Sequence, residues 1–347
     1  MSGGGVRRAL ITTYLEAGLV DGLRLEFPEV EFNYPLSLVP LPQYPGDHRL
    51  PRAASPAAQQ AWASLLKDAE ILFDFGPLEL HRELARLPGL RWIQATSAGV
   101  GQFVHRVGLD GPGAPLVTTA RGVHGRALAE FVLMSLIALN RDLPGTMANQ
   151  ARRRWVRGSG RLVQGQTALI VGMGSIGAEV ALLLRALGAR TVGVVRALDG
   201  RSASTQGVDE LYAYTDLDTL LARADVLVLS CPHTSETDRL IDQRRLAMLP
   251  PTAVLINVAR GQVVDEPALV RALADSRLGG AALDVAATEP LPGDSPLWAL
   301  PNVIISPHSA STVEGENAAI VDIFRSNLKA YLAGDQLVNV FQPGRLY

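Results

Sequence analysis

The chain has 347 residues, of which 48% are hydrophobic and 19% charged, a composition typical of a globular protein of about two domains. Its net charge of −2 excludes the basic field expected of a protein that binds nucleic acid or an anionic membrane surface, and its longest apolar run, Phe131 to Leu139, is far shorter than the roughly 18 residues of a membrane span. One cysteine, Cys231, excludes an internal disulfide framework and fits a reducing, cytoplasmic location.

The first third of the chain alternates short apolar runs, which are typical of strands, with helical patterns. Strands are predicted at ALITTYL, VEFNY, ILFDF, LRWIQAT and PLVTTA, and a helix is predicted over residues 57–69. This alternation indicates a parallel sheet covered by helices. Between Pro35 and Pro56 the prolines are too frequent for a helix interior or a central strand, so this segment is predicted to be a long surface loop.

A second alternating series follows an apolar helix predicted over residues 127–140. Its strands are predicted at TALIVGM, TVGVV, DVLVLS, AVLINV, GAALDV and VIISP, which indicates a second doubly wound sheet. The helix after the first of these strands has Ile176, Val180, Leu183 and Leu187 at one-face spacing. A final helix over residues 314–333 follows the complete sheet and is expected to pack on the first domain.

Three glycines stand between the first strand and helix of the second series. Gly172, Gly174 and Gly177 form G-x-G-x-x-G, with Ser175 and Ile176 opening the helix. The first glycine allows a tight turn, the second lets the backbone approach a pyrophosphate, and the third lets helix and strand close. Dinucleotide binding is favoured over a methyl donor or a plain structural turn.

The end of the next strand bears on the choice of cofactor. A carboxylate there binds the ribose hydroxyls of NAD, but this strand ends at Val195 and Arg196, and the nearest acid, Asp199, lies further along the loop. Arg196, helped by Arg201, would suit a 2′-phosphate. NADP(H) is therefore favoured, with NAD(H) as the alternative if these arginines are solvated loop residues.

Three chemically distinct side chains follow predicted strands of the second sheet. Arg260 comes after AVLINVA, Glu289 after GAALDV, and His308 after VIISP. Ligands of doubly wound sheets bind beyond the carboxyl ends of the strands, so we expect the three to converge. An arginine that grips a carboxylate, a histidine that moves a proton and a glutamate that holds the histidine suit oxidation of a 2-hydroxy acid. Taken singly, each residue is better explained as an ordinary turn residue, and the functional interpretation rests on their joint placement.

Together these motifs resemble the D-isomer-specific 2-hydroxyacid dehydrogenase family. The matching stretches, in order, are LRWIQATSAGVG, ARGVHGRALAEFVL, ALIVGMGSIG, LSCPHTSETDRLID, INVARGQVVDEPAL, ALDVAATEPLP and SPHSA. They cover most of Leu90 to Ala310. The resemblance implies that Arg260 binds the substrate carboxylate, that His308 is the general acid and base, and that Glu289 pairs with its imidazole.

The resemblance also implies further site residues and a domain arrangement. The substrate is expected at Ala98, Gly99 and Val100. The cofactor is expected to be lined by Pro232, Val258, Ala259, Asp284 and His308, with Asp284 near the nicotinamide amide. The implied fold is α/β, with two doubly wound parallel-sheet domains. A Rossmann cofactor domain at residues 123–311 is inserted into a flavodoxin-like substrate domain at residues 1–122 and 312–347.

The remaining expectations concern partners and alternatives. A small 2-oxo acid such as glyoxylate or hydroxypyruvate is the expected substrate, and Thr119, where many relatives carry asparagine, leaves its identity open. The helix through Phe131 to Leu139 either belongs to the ordinary core or packs across a homodimer interface. The homodimer is favoured. The histidines show no paired metal-ligand spacing, so no metal is expected. A dinucleotide-sensing binding protein related to corepressors is the alternative function.

Overall fold

The computed structural model describes residues 6–48, 50–53 and 55–343. The chain divides into two compact units, one formed by Met1–His124 with Thr312–Tyr347 and the other by Gly125–Ser311. The assignment of one unit to the substrate and the other to the cofactor remains a prediction.

Twelve strands and twelve α-helices form the described part of the two units. The strands are β1 Arg7–Ile11, β2 Val30–Asn33, β3 Ile71–Phe73, β4 Trp92–Gln94, β5 Leu116–Thr118, β6 Thr167–Val171, β7 Arg190–Val195, β8 Glu210–Ala213, β9 Val226–Leu229, β10 Val254–Asn257, β11 Gly280–Leu283 and β12 Val303–Ile305. The helices are α1 Ala17–Glu26, α2 Pro56–Asp68, α3 His81–Leu84, α4 Gly101–Arg106, α5 Gly125–Asn140, α6 Leu143–Ala151, α7 Ser175–Ala186, α8 Ala203–Gln206, α9 Leu217–Leu221, α10 Gln243–Leu246, α11 Glu266–Ala274 and α12 Glu316–Ala333.

The first unit contains a five-stranded parallel sheet in the order β2-β1-β3-β4-β5. This is the flavodoxin-like order, and apolar clusters fill both faces, as expected for a parallel sheet covered by helices. Helix α12 packs on this sheet through Phe324, whose ring lies 5.1 Å from that of Phe73 and 5.1 Å from that of Trp92. The expected return of the final helix to the first domain is thus confirmed.

The proline-rich segment between β2 and α2 has no helix or strand in its described residues, as predicted, but it is not simply a surface loop. Val39, Asp47 and Ala53 are buried, and the Asp47 carboxylate accepts a hydrogen bond from Gln43 N at 2.8 Å. Its His48 is also half-buried. Prolines prevent regular structure but do not prevent a segment from packing on a core, which explains the error.

The second unit contains a seven-stranded parallel sheet in the order β12-β11-β10-β9-β6-β7-β8. The six strands β8-β7-β6-β9-β10-β11 have the Rossmann order, and β12 adds a seventh strand at one edge. The strand order reverses between β6 and β9. The sequence did not predict β8. Its apolar residues are few and include tyrosine, and all four residues of the strand are half-buried at the sheet edge, so it lacks the long aliphatic run that marks the central strands.

The apolar spacing of helix α7 predicted most of the face that packs on the core. Val180 is buried, and Ile176 and Leu183 are partly buried against the same core cluster, whereas Leu187, after the end of the helix, is 41% exposed. The fully buried residues beside Val180 are Gly177, Ala181 and Leu184. The helix is apolar on most sides, so spacing alone could not select the residues that are fully buried. The sheet and the neighbouring helix α5 select them, and α5 approaches so closely that a Cβ on Gly125 would lie 3.2 Å from the Ser175 carbonyl oxygen.

Candidate active site

The glycine-rich turn lies where the strand order of the second sheet reverses. Gly172 follows β6 with φ of 101°, and a Cβ there would lie 2.6 Å from the Cys231 backbone nitrogen after β9. The Ser230 hydroxyl donates to the Gly172 carbonyl at 2.8 Å. Both the positive φ and the close approach require glycine at this position. In doubly wound sheets this reversal is the place where ligands bind.

The other two glycines of the motif have opposite surroundings. A Cβ on Gly177 would lie 2.1 Å from the Gly172 carbonyl oxygen, so this glycine closes the helix onto the turn. A Cβ on Gly174 would meet no protein atom within 4 Å. Gly174 caps α7, and Ser175 and Ile176 are its first residues. The open space beside a helix N-terminus fits a pyrophosphate, because its free N–H groups and positive dipole end favour an anion.

The two arginines considered for the 2′-phosphate lie in the loop after β7. Arg196 directly follows the strand, is exposed, and places its Nη1 3.9 Å from the Glu236 Oε2. Arg201 is exposed too, and its backbone nitrogen donates to the Leu198 carbonyl at 2.7 Å. Asp199, between them, has φ of 44°. The loop therefore presents two cations to solvent, one of them partly screened by a carboxylate.

The residues expected to line the cofactor follow successive strands of the same sheet. Pro232 comes after β9 and is exposed, whereas Val258 and Ala259 come directly after β10 and are buried. Asp284 directly follows β11 and is 2% exposed. Cys231, beside Pro232, is also buried, and burial raises the pKa of its thiol to about 11. A protonated thiol is a poor nucleophile, so Cys231 is best described as a small buried residue of the core.

The predicted catalytic pair is in hydrogen-bond contact. The His308 Nδ1 lies 2.8 Å from the Glu289 Oε2, and both side chains are about 40% exposed. The second carboxylate oxygen of Glu289 accepts from the Ala286 backbone nitrogen at 3.1 Å. With Nδ1 committed to Glu289, the Nε2 atom of His308 is left to face a reacting group.

Asp284 has a part in this site that the sequence did not reveal. Its carboxylate oxygen Oδ1 accepts from the backbone nitrogens of Ser309 and Ala310, each at 2.9 Å, and its carbonyl accepts from His308 N at 2.8 Å. His308 itself has φ of 52°, a conformation that costs free energy outside glycine. The bonds to Asp284 therefore hold the histidine in a conformation that its own backbone disfavours.

Arg260 is oriented by its own turn and by nearby acids. Asn257, at the end of β10, accepts from Ala259 N through its side-chain oxygen and donates to the Arg260 carbonyl, each at 3.0 Å. The Arg260 Nη1 donates to the Ala259 carbonyl at 2.7 Å. Burial lowers the pKa of Arg260, while the charges of Glu289 and Asp284 oppose this effect. Arg260, Glu289 and His308 thus share one neighbourhood. Asn257 was missed because a lone asparagine gives no sequence signal.

The residues expected to face the substrate lie in the first unit. Ala98 and Gly99 are on the turn after β4, and Val100 is the buried residue that precedes α4. Gly99 N lies 3.4 Å from the Ser97 hydroxyl oxygen. Like the cofactor motif, this segment is at the carboxyl end of a parallel strand, where α/β folds place their ligands.

Neither a metal-binding cluster nor a membrane-spanning helix is found among the residues that the structure describes. Across residues 6–48, 50–53 and 55–343, no group of three or more His, Cys, Asp or Glu side chains could hold a metal ion. Within these same ranges, no helix is long and apolar enough to cross a membrane.

Comparison with known proteins identifies the family. The sequence model of a protein family, described as D-isomer specific 2-hydroxyacid dehydrogenase, NAD binding domain, matches residues 133–310, about half of the chain. The glyoxylate reductase of Thermofilum pendens is 34% identical over 258 residues, which cover 72% of this chain and 74% of that protein. The D-3-phosphoglycerate dehydrogenase of Mycobacterium bovis is 37% identical over 266 residues, which cover 75% of this chain. This alignment covers 48% of that dehydrogenase, so the chain spans about half its length.

A solved structure extends the similarity to the first unit. The D-isomer specific 2-hydroxyacid dehydrogenase from Xanthobacter autotrophicus Py2, solved in complex with NADPH and MES, has a TM-score of 0.76 and 27% identity. The match covers 99% of this chain and 100% of that one. The recognised motifs, the two parallel-sheet units and these relatives agree, and the chain belongs to the D-isomer-specific 2-hydroxyacid dehydrogenase family.

Proposed function

We propose that this enzyme reduces a small 2-oxo acid to the D-2-hydroxy acid, and catalyses the reverse oxidation, with Arg260, Glu289 and His308 as its catalytic residues. The observation that carries the proposal is the 2.8 Å contact between His308 Nδ1 and Glu289 Oε2, in the same neighbourhood as Arg260. A proton-transfer pair beside a carboxylate-binding arginine suits the two ends of a 2-oxo acid.

His308 transfers the proton at the carbonyl oxygen. The bond to Glu289 keeps a proton on Nδ1, so Nε2 is the atom that changes its protonation state. In reduction the imidazolium donates its Nε2 proton to the 2-oxo oxygen, and in oxidation neutral Nε2 accepts the hydroxyl proton. The negative charge of Glu289 stabilises the imidazolium, which favours the proton donor needed for reduction.

Arg260 binds and orients the substrate carboxylate. A guanidinium can offer two parallel N–H donors to the two carboxylate oxygens, which fixes both the position and the rotation of the acid. The bonds from Asn257 to the turn around Arg260 hold its backbone. Ala98, Gly99 and Val100, in the first unit, remain proposed substrate-binding residues.

The nicotinamide cofactor, when bound, supplies or accepts the hydride at the substrate carbon next to the carboxylate. Gly172, Gly174 and Gly177 with Ser175 and Ile176 would bind its pyrophosphate, and Pro232, Val258, Ala259 and Asp284 would line the rest of its site. The unfilled space at Gly174 supports this assignment, because any side chain there would occupy the position of the phosphates.

NADP(H) is the proposed cofactor, in preference to NAD(H). Arg196 and Arg201 are exposed cations after β7, where NAD-dependent enzymes place an acid. The similar enzyme from Xanthobacter autotrophicus was solved with NADPH, which is consistent with this choice. Glu236, 3.9 Å from Arg196, would repel a 2′-phosphate and moderate the preference.

Glyoxylate or a comparably small 2-oxo acid is the proposed substrate. One relative, at 34% identity, is named a glyoxylate reductase. We propose that the partly buried proline-rich segment, together with Ala98 to Val100, limits the size of the substituent beside the carbonyl, since both belong to the unit assigned to the substrate.

The test is a turnover assay with the purified protein, a panel of 2-oxo acids, and NADPH and NADH in parallel. Turnover that is faster with NADPH is expected, and His308→Gln should remove most of it while leaving the Kd for NADPH within about twofold. Unchanged turnover in His308→Gln would refute the role of this histidine. Tight cofactor binding by the wild type without turnover of any acid would instead support a dinucleotide sensor.

A homodimer through the second unit is also proposed. Large apolar side chains on α5, on α6 and after α6 are solvent-exposed in the chain by itself, among them Trp155 at 95% and Met147 at 61%. The others are Met134, Ile137, Leu143, Val156 and Leu162. An apolar surface of this extent commonly marks a protein interface. Light scattering should give a dimer mass, and Met147→Glu with Trp155→Glu should give a monomer.

A further inference from the structure

Glu289 is on an irregular segment between β11 and β12, so its position depends on how that segment is held. Its own turn provides one bond, from Ala286 N to Glu289 Oε1. The other oxygen must stay within 2.8 Å of His308 Nδ1 for the catalytic pair to exist. An exposed carboxylate on a loop keeps such a contact only if the backbone beneath it is fixed.

Two side chains from a separate segment hold the backbone two residues before Glu289. The Glu266 Oε2 accepts from Ala287 N at 2.8 Å, and the Gln262 Nε2 donates to the Ala287 carbonyl at 2.9 Å. Both polar backbone atoms of Ala287 are therefore bound by side chains. Neither Gln262 nor Glu266 reaches the reacting groups itself, and neither is expected to bind substrate or cofactor.

Close packing at Gly261 adds a third restraint. A Cβ on this buried glycine would lie 2.0 Å from the Ala286 carbonyl carbon and 2.3 Å from Ala287 N. The peptide before Ala287 thus lies directly on the backbone of Gly261. Since Gly261 follows Arg260, this contact also ties the substrate-binding arginine to the segment that carries Glu289.

The segment that provides these contacts is itself well anchored. Val263 accepts from Ile241 N through its carbonyl, and Asp265 N donates to the Ile241 carbonyl, each at 3.0 Å. Glu266 is the first residue of α11, capped by the Asp265 side chain through a 3.0 Å bond from Ala268 N.

We propose that Gln262 and Glu266 are positioning residues, which keep Glu289 in contact with His308 by holding Ala287. The inference rests on the proposed function of the Glu289–His308 pair. The backbone of Gly261 packs against the same peptide and limits its movement. The residues that follow Arg260 thus contribute to catalysis by fixing the distance between Glu289 and His308.

The test compares Glu266→Ala, Gln262→Ala and Glu266→Gln with Glu289→Gln and the wild type. Gln262 is exposed and Glu266 half-buried at a surface cleft, so their truncation should leave the fold intact, as a melting curve will check. Arg271→Ala is the matched control. Arg271 is on the same helix as Glu266 and lines the same cleft, but its Nη2 donates to the Gln243 side-chain oxygen at 3.3 Å and not to Ala287.

The principal measurement is kcat/KM for 2-oxo acid reduction across pH. Glu266→Ala should lower kcat/KM about tenfold, because misplaced catalytic groups lose rate steeply. Reduction needs the imidazolium, so the pH above which the rate declines should move downward, in the same direction as in Glu289→Gln. Glu266→Gln should restore most of the rate, because its amide oxygen can still accept from Ala287 N. Arg271→Ala should match the wild type.

A double-mutant cycle and a spectroscopic signal separate positioning from general damage. Glu266→Ala combined with Glu289→Gln should shift the pH profile no further than Glu289→Gln does, since both changes act through one contact. The His308 Nδ1 proton, identified by its loss in His308→Gln, should give a low-field NMR signal that weakens in Glu266→Ala without substrate. The Kd for NADPH should remain within about twofold of the wild type in these variants.

The outcomes distinguish failure of this inference from failure of the proposed function. If Glu289→Gln shifts the pH profile but Glu266→Ala and Gln262→Ala retain the wild-type profile, the positioning role is wrong and the catalytic pair stands. A lower rate with an unmoved pH profile and NMR signal would also refute positioning. If Glu289→Gln has no effect, the catalytic pair is wrong, and the inference fails with it.

Discussion

Gly174 and Gly177, three residues apart in one motif, should respond in different ways to the same added methyl group. In Gly177→Ala the new Cβ would lie 2.1 Å from the Gly172 carbonyl oxygen, whereas a Cβ atom in a folded protein essentially never lies within 3.0 Å of another heavy atom. The helix and the turn would therefore have to separate by about 0.9 Å. Because the contact is with backbone rather than with a flexible side chain, the overpacking cost is in the upper part of its range of roughly 1–3 kcal/mol, at about 2–3 kcal/mol, and the higher helix propensity of alanine returns about 1 kcal/mol. We expect a net loss of about 1–2 kcal/mol in the free energy of unfolding.

In Gly174→Ala the methyl group would enter the space at the helix N-terminus, where it meets no protein atom within 4 Å. The backbone at Gly174 has φ of −86° and ψ of −161°, which alanine adopts without strain. The remaining cost, loss of a glycine cap, is less than about 1 kcal/mol. The space is the one proposed for the pyrophosphate, so NADPH binding should weaken at least about tenfold, or roughly 1.4 kcal/mol.

The assay measures the melting temperature without cofactor and the Kd for NADPH by fluorescence titration. A loss of about 1–2 kcal/mol corresponds to a fall of roughly 2–8 °C for a domain of this size, which is expected in Gly177→Ala. Gly174→Ala should melt within about 2–3 °C of the wild type and yet bind NADPH poorly. Wild-type affinity in Gly174→Ala would refute the assignment of the phosphate site, and equal destabilisation of both variants would refute the packing argument.

Three further changes test the carboxylate site, the cofactor choice and a buried acid. Arg260→Lys should raise KM for the 2-oxo acid about ten- to hundredfold, since a point charge cannot form two parallel bonds, and an unchanged KM would exclude this role. Arg196→Ser should raise the Kd for NADPH about tenfold and leave that for NADH unchanged, whereas equal effects on both would exclude contact with a 2′-phosphate. Burial raises the pKa of the Asp74 carboxyl from 3.8 to about 6. Between pH 3.8 and about pH 6 the folded chain therefore keeps a proton on Asp74 that the unfolded chain has lost, so the free energy of unfolding falls as the pH rises through this range. Asp74→Asn should therefore stabilise the fold by up to about 3 kcal/mol at pH 8 and little at pH 3.5, as measured by denaturant unfolding, and no gain at pH 8 would contradict this account.

Strands with strong local signals could be predicted from the sequence, and weak ones could not. The buried residues of β6 and β9 form continuous apolar runs, which a parallel strand covered on both faces requires. Strand β8, at the sheet edge, has only half-buried residues and no aliphatic run of this length, and its pairing with β7 defines it as a strand. Tertiary packing also selected the buried side of α7, where Leu184 is buried although Leu187 fitted the apolar spacing.

The candidate site divides in the same way. Arg260, Glu289 and His308 could be proposed because their chemical types are uncommon together and each follows a predicted strand. The contacts that hold them could not be proposed. Asp284 binds the backbone of the His308 loop, and Glu266 binds the backbone before Glu289, across 25 and 21 residues of sequence respectively. Backbone groups carry no sequence signal, so a side chain that binds one has no recognisable partner.

The amino-acid sequence alone was sufficient for the two α/β domains, the dinucleotide motif and the chemistry of the proposed reaction. These depend on local features, namely apolar runs, glycines between a strand and a helix, and ionisable residues at strand ends. The tertiary structure decided which oxygen of Glu289 binds His308, which glycine is closed against the turn and which is open, and which residues of the proline-rich segment are buried. Each of these depends on distances between residues far apart in the chain, which are determined only when the core is packed.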